Sequence, residues 1–161
     1  MGAAQQSRTS TPAEQGPSLG LTHICIYVLD QDAAKEFYLD KLGFVLRNDI
    51  VMGHGFEGAG QGFRWLTVSA PGQPGIEFIL ADPDMGHAPA EIRDLVAKGA
   101  MATTALSADD CRETFAELSA RGVVFLQEPQ ERPYGIEAVF RDDSGNSFSL
   151  CEPTNPVPSK E

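Results

Sequence analysis

Residues 21–46 read LTHICIYVLDQDAAKEFYLDKLGFVL, and residues 102–126 read ATTALSADDCRETFAELSARGVVFL. Each stretch runs in the same order: an apolar strand, an acidic break, an amphipathic helix, a glycine, and the start of a second strand. An internal repeat constrains a whole fold more tightly than any local motif, and two copies fall short of the roughly three that a solenoid needs. The repeat predicts two similar modules that share either one sheet or one cavity between them.

Around these stretches the rest of each module can be laid out. In Thr22–Val28 the odd positions His23, Cys25 and Tyr27 alternate with Ile24, Ile26 and Val28. A period of two puts the two sets on opposite faces. The aliphatic set packs under a helix, and the other set faces a cavity or solvent. Asp32 is read as the N-cap of a helix over Ala33–Lys41, whose buried stripe is Ala34, Phe37, Tyr38 and Leu42. Gly43 ends that helix. Strands follow at Phe44–Ile50, Phe63–Ser69 and Ile76–Leu80, separated by the glycine-rich loop 52–62 and a PGQPG turn at 71–75. In the last of these strands Ile76, Phe78 and Leu80 take the packed face, while Glu77 and Ile79 take the other.

The second module repeats the plan. A strand covers Met101–Leu106, and Asp109 or Asp110 caps a helix over Cys111–Ala120 that buries Phe115 and Leu118. Gly122 ends the helix, and strands follow at Val123–Gln127, Tyr134–Arg141 and Ser147–Glu152. The DDSGN run at 142–146 is a tight hairpin turn. The organisation read from the chain is a tail over 1–19, a single domain over 20–153, and a loose end over 154–161. The domain divides into a first module over 20–82, a linker over 83–100 with a short helix near Glu91–Lys98, and a second module over 101–153.

Composition narrows the function classes. Twelve Lys and Arg against 23 Asp and Glu leave a formal charge of -11. Nucleic acid and anionic membrane would both repel such a chain. No apolar run reaches membrane-spanning length. Cys25, Cys111 and Cys151 are odd in number and form no CxxC pair, which points to reduced thiols and a cytoplasmic location.

The doubled βαβββ order, with His23 in LTHICIYVLD, Phe37-Tyr38 ahead of Leu42-Gly43-Phe44, Glu77 in GIEFIL, and AVFRDDSGNSFSL near the end, resembles the vicinal oxygen chelate superfamily. That superfamily includes glyoxalase I, bleomycin-resistance proteins and extradiol dioxygenases. The resemblance covers about residues 21–153. It implies an α+β fold in which two βαβββ modules form a pair of curved mixed-sheet half-barrels with helices outside. It also implies a ligand cavity inside and a homodimer. The family's metal sits on four cavity-facing positions, which fall here on His23, Glu77, Thr103 and Ser149. The first two are usual metal ligands for Zn, Ni, Mn, Fe or Mg, with Glu77 also a candidate base. The other two are hydroxyls, which replace neither a metal ligand nor a carboxylate base.

Two functions follow. One is a bleomycin-resistance-like protein that binds a small organic molecule in the cavity and needs no cofactor. The other is a divalent-metal-dependent lyase, isomerase or dioxygenase that uses His23 and Glu77. Tyr27, Trp65, Thr103, Tyr134 and Ser149 are candidate ligand-binding residues, with Trp65 offering a stacking surface. A half-buried Glu77 needs a partner, either a metal or a cavity donor such as Arg64 or Tyr27. Cys25 and Cys151 share cavity parity. His54 and His87 are read as surface loop residues.

Overall fold

The computed structural model describes residues 19–53, 62–84 and 90–154; the expected N-terminal tail up to residue 18, most of the glycine-rich loop, His54 and His87 lie outside them. The first module comprises β1 (His23–Tyr27), α1 (Gln31–Glu36, continuing into a wider π-helical turn over Phe37–Lys41), β2 (Val45–Met52), β3 (Phe63–Ser69) and β4 (Glu77–Ala81). After α2 (Ile92–Ala97) come β5 (Thr104–Ser107), α3 (Cys111–Ala120), β6 (Phe125–Arg132), β7 (Gly135–Arg141) and β8 (Ser147–Pro153). Each module forms its own four-stranded mixed sheet, ordered β1-β4-β3-β2 and β5-β8-β7-β6. The repeat therefore produces two sheets rather than one shared sheet, and the sheets do not close into a barrel. In each sheet the first strand pairs parallel with the last, and the remaining pairings are antiparallel.

Several local readings need adjustment. The N-cap of α1 is Asp30, not Asp32: its backbone is extended, and its carboxylate accepts from the amides of Asp32 and Ala33. A cap must be the last extended residue before the helix; Asp32 already lies in the first turn. In α3 the cap is Asp110, which accepts from the Glu113 amide at 2.7 Å. The wider turn that ends α1 accompanies two consecutive buried rings, Phe37 and Tyr38. Gly43 and Gly122 end the two helices with φ of 72° and 81°, a left-handed conformation that costs glycine little. The strand expected at Met101–Leu106 begins at Thr104. β6 runs past Gln127 to Arg132 and includes Pro129. β6 is the edge of its sheet and its register slips between Gln127 and Gln130, which is where a proline can be accommodated.

One core serves both modules. Ile26, Val28, Leu66, Val68, Phe78 and Leu80 from the first sheet join Ala138, Phe140, Phe148 and Leu150 from the second in a single cluster. Tyr38 is fully buried, edge-on to Phe37, Phe44 and Phe148. Its hydroxyl donates to Asp142 Oδ2 at 3.0 Å. Burial, with the Asp142 carboxylate beside it, pushes that hydroxyl well above the usual tyrosine range.

Asp142 organises the DDSGN turn as well. Its Oδ1 accepts from the amides of Ser144, Gly145 and Asn146 at 2.8–3.0 Å. The turn then reaches into the first module: Asn146 Nδ2 donates to the Tyr27 carbonyl at 2.9 Å, and Ser144 Oγ accepts from the Leu29 amide at 3.0 Å. Gly145, with φ of 105°, lies so near α2 that a Cβ there would come within 2.7 Å of the Val96 carbonyl oxygen. The hairpin turn is thus also a clasp between the modules.

Loss of the Tyr38 hydroxyl in Tyr38→Phe should cost about 1–2 kcal/mol, because the buried Asp142 oxygen loses one donor. Asp142→Ala should cost about 3 kcal/mol or more, since several buried donors are stranded together. Denaturant titration of both variants checks the order and the size of these effects.

Candidate functional site

Strand parity and parallel pairing together build one polar cluster. His23 and Glu77 are register partners across β1 and β4, on the face away from Ile26, Phe78 and the helices. His23 Nε2 lies 3.7 Å from Glu77 Oε2, and its Nδ1 lies 3.1 Å from Thr22 Oγ1. Trp65, from β3, tilts against the imidazole with ring centroids 5.6 Å apart, and Phe63 continues the aromatic wall at 5.8 Å. Cys25 and Ile79 pair on the same face.

The partners of Glu77 are not those expected. Arg64 has even parity in β3 and lies on the helix side. There it donates to Asp49 and Asp32 at 2.7 Å, and with Lys35 it holds the Asp49 carboxyl far below its usual range. Tyr27 makes no side-chain hydrogen bond to Glu77. Instead, a bulge between Leu46 and Asn48 lets two adjacent residues of β2 reach the carboxylate. Asn48 Nδ2 donates to Glu77 Oε2 at 3.3 Å and to Thr67 Oγ1 at 2.9 Å, and Arg47 Nε lies 3.8 Å from Glu77 Oε1.

These residues do not fit a protein-held metal. Zinc sites take three or four protein ligands, and non-haem iron takes two histidines and a carboxylate. This face offers one imidazole and one carboxylate, and the carboxylate already faces the guanidinium of Arg47. Among the described residues no three His, Cys, Asp or Glu side chains converge.

The corresponding face of the second sheet has its own cluster, centred on a residue that sequence reasoning missed. Glu137 Oε1 accepts from Ser149 Oγ at 2.6 Å. Glu137 Oε2 accepts from Tyr134 at 3.1 Å and from Arg132 Nε at 3.4 Å. The Ser149 bond, aided by those from Tyr134 and Arg132, holds the Glu137 carboxyl below its usual range. Cys151 Sγ lies 3.0 Å from Ser149 Oγ, and Arg132 also donates to Gln127 Oε1. Glu152, on the helix side, accepts from the Cys111 amide.

The structure thus brings His23, Glu77 and Trp65 together in one group, and Tyr134 and Ser149 in another. Tyr27 is half-buried, with its carbonyl engaged by Asn146. Thr103 is exposed and precedes β5. Ser149 stands opposite Ala105 in the β5–β8 ladder, so the register matches Ser149 to Ile79 and matches Glu77 to Ser147. Arg47, Asn48 and Glu137 are the additions. Glu137 was readable from the alternation Ile136, Glu137, Ala138, Val139, Phe140, whereas Arg47 depends on a bulge that no local pattern announces.

Comparison with known proteins agrees with this architecture. The family model described as Glyoxalase/Bleomycin resistance protein/Dioxygenase superfamily matches residues 20–150. The uncharacterized protein YurT of Bacillus subtilis (strain 168) is 33% identical over 128 residues, covering 79% of this chain and 94% of that protein. The crystal structure of UcmS2 is 43% identical with a TM-score of 0.73, over 84% of this chain and 99% of that one. The structure of TnmS3, an antibiotic binding protein from Streptomyces sp. CB03234, is 30% identical with a TM-score of 0.66, over 87% of this chain and 100% of that one. On its two-module sheets, its internal repeat and these matches, the chain belongs to the glyoxalase/bleomycin resistance protein/dioxygenase superfamily.

Proposed function

We propose that this protein binds a small organic molecule on the non-helix faces of its sheets and releases it unchanged. The observation that carries this reading is the setting of Glu77. Its carboxylate is matched by Arg47, Asn48 and His23 from the chain itself, so the face is organised for contact with a ligand rather than for holding a cation. Trp65 and Phe63 supply a flat apolar wall beside it, a combination of aromatic surface and few fixed polar groups that suits small-molecule sites. A similar protein, TnmS3, is described as antibiotic binding, and the same class of ligand is proposed here.

His23, Cys25, Ala105 and Ser107 are exposed on these faces, and Val45, Ile50, Val51, Val124 and Leu126 leave aliphatic surface on or beside the edge strands β2 and β6. A second copy of the chain covers this surface and encloses the ligand, making the working unit a homodimer. The three cysteines are free, and a reducing cytoplasm is the proposed location. Among the described residues no helix is long and apolar enough to cross a membrane.

The chain has a single tryptophan, so fluorescence reports on this face directly. Titration with flat aromatic antibiotics should quench Trp65 at one ligand per chain, with the compound recovered intact. His23→Ala should weaken binding about ten-fold, or about 1.4 kcal/mol. Multiple turnover of the bound compound would overturn the binding reading.

The proximity of His23 and Glu77 gives a second reading, a metal-dependent lyase, isomerase or dioxygenase with Glu77 as base. Calorimetric titration with Zn2+ or Ni2+ separates the two. The wild-type protein should show no His23-dependent binding of one metal per chain. Arg47→Ala should raise metal affinity at least ten-fold by removing the competing cation. Tight wild-type binding lost in His23→Ala would favour the enzyme.

A further inference from the structure

We infer that Glu137 is the hydrogen-bond acceptor of a second ligand half-site, one that takes a neutral hydroxyl or amine group carried by the flat ligand whose ring lies against Trp65. This inference rests on the binding function proposed above and adds a residue and a ligand chemistry to it.

The two sheets share a pseudo-symmetry that relates the positions. The Val28 amide donates to the Ala81 carbonyl as the Ala108 amide donates to that of Cys151. Val68 stands opposite Phe78 as Phe140 stands opposite Phe148. Trp65 and Glu137, each three residues earlier in their strands, are therefore equivalent places on the two faces. One module puts an aromatic ring there and the other puts a carboxylate. In the homodimer proposed above, a ligand held between the two kinds of face meets the aromatic wall on one side and this acceptor on the other.

The local chemistry of Glu137 selects the group it takes. A carboxylate has about four acceptor positions, and Ser149, Tyr134 and Arg132 fill three. The donors fix the carboxylate and keep it ionised. Arg132, 3.4 Å away, already offsets its charge. What remains is an oriented acceptor with no call for a further cation, which is the requirement of a neutral O–H or N–H. Its side chain is only 18% exposed, so a group that cannot donate would displace water from the remaining acceptor position without replacing that hydrogen bond. Sites of that kind reject analogues lacking the donor more strongly than apolar pockets reject a change of size.

The test uses two probes with one ring, 2,6-dihydroxynaphthalene and 2,6-dimethoxynaphthalene, titrated calorimetrically against the wild-type protein, Glu137→Gln and Glu77→Gln. The wild-type protein should prefer the diol at least ten-fold. In Glu137→Gln the preference should fall to about two-fold, and in Glu77→Gln it should persist. A measurement on wild-type protein removes any dependence on variant folding: the side-chain carboxyl 13C resonance of Glu137 should move with the diol and not with the diether. Equal affinity for both probes, a preference that survives Glu137→Gln, or an unmoved resonance overturns the inference while leaving ligand binding intact. Absence of binding by either probe overturns both the inference and the binding function beneath it.

Discussion

The parallel pairing of the first strand of each module with its last is the constraint on which the other features depend. It lays His23 beside Glu77 in one sheet and Ala105 beside Ser149 in the other. Because side chains alternate with a period of two, that register sends the aliphatic residues of both strands to the helices and the polar ones to the opposite face. A slip of one residue would exchange the two sets, putting Glu77 into the core and Phe78 into solvent. The buried cluster of Ile26, Phe78, Phe140 and Phe148 therefore fixes the polar faces as firmly as any contact made on those faces.

The modules are held together by polar contacts at the edge of a shared apolar core. Asp142 satisfies three amides of its own turn, and with Asn146 and Ser144 ties that turn to Tyr38, Tyr27 and Leu29. A buried carboxylate is costly unless it is fully hydrogen-bonded, and here five donors meet it. The same rule governs the two candidate sites. Glu77 and Glu137 are each partly buried, and each is surrounded by donors from its own chain. Self-satisfied carboxylates suit ligand recognition better than coordination, since a metal must compete with the groups already in place.

Much of this was legible before any coordinates. The internal repeat predicted two similar modules, alternation in 23–28 and 76–80 placed His23 and Glu77 on one face, and the DDSGN run predicted its turn. The misreadings have specific causes. Pairing Arg64 with Glu77 neglects in β3 the parity applied to β1, since its even position sends it to the helix side. The partners Arg47 and Asn48 come from a bulge that breaks the very alternation used for prediction. Glu137 sits inside a legible alternation, but its role emerges only once Ser149 on the neighbouring strand is seen to donate to it.

The amino-acid sequence by itself determined the module order, the helix caps by acidic residues, and which residues of each strand travel together, because these follow from local periodicity and the backbone preferences of Asp and Gly. Only the tertiary structure decided that the modules form two sheets, that Arg47 faces Glu77, and that Ser149 faces Glu137. Those outcomes depend on strand register and on a bulge, which are set by packing between segments far apart in the chain and leave no mark in any single stretch of it.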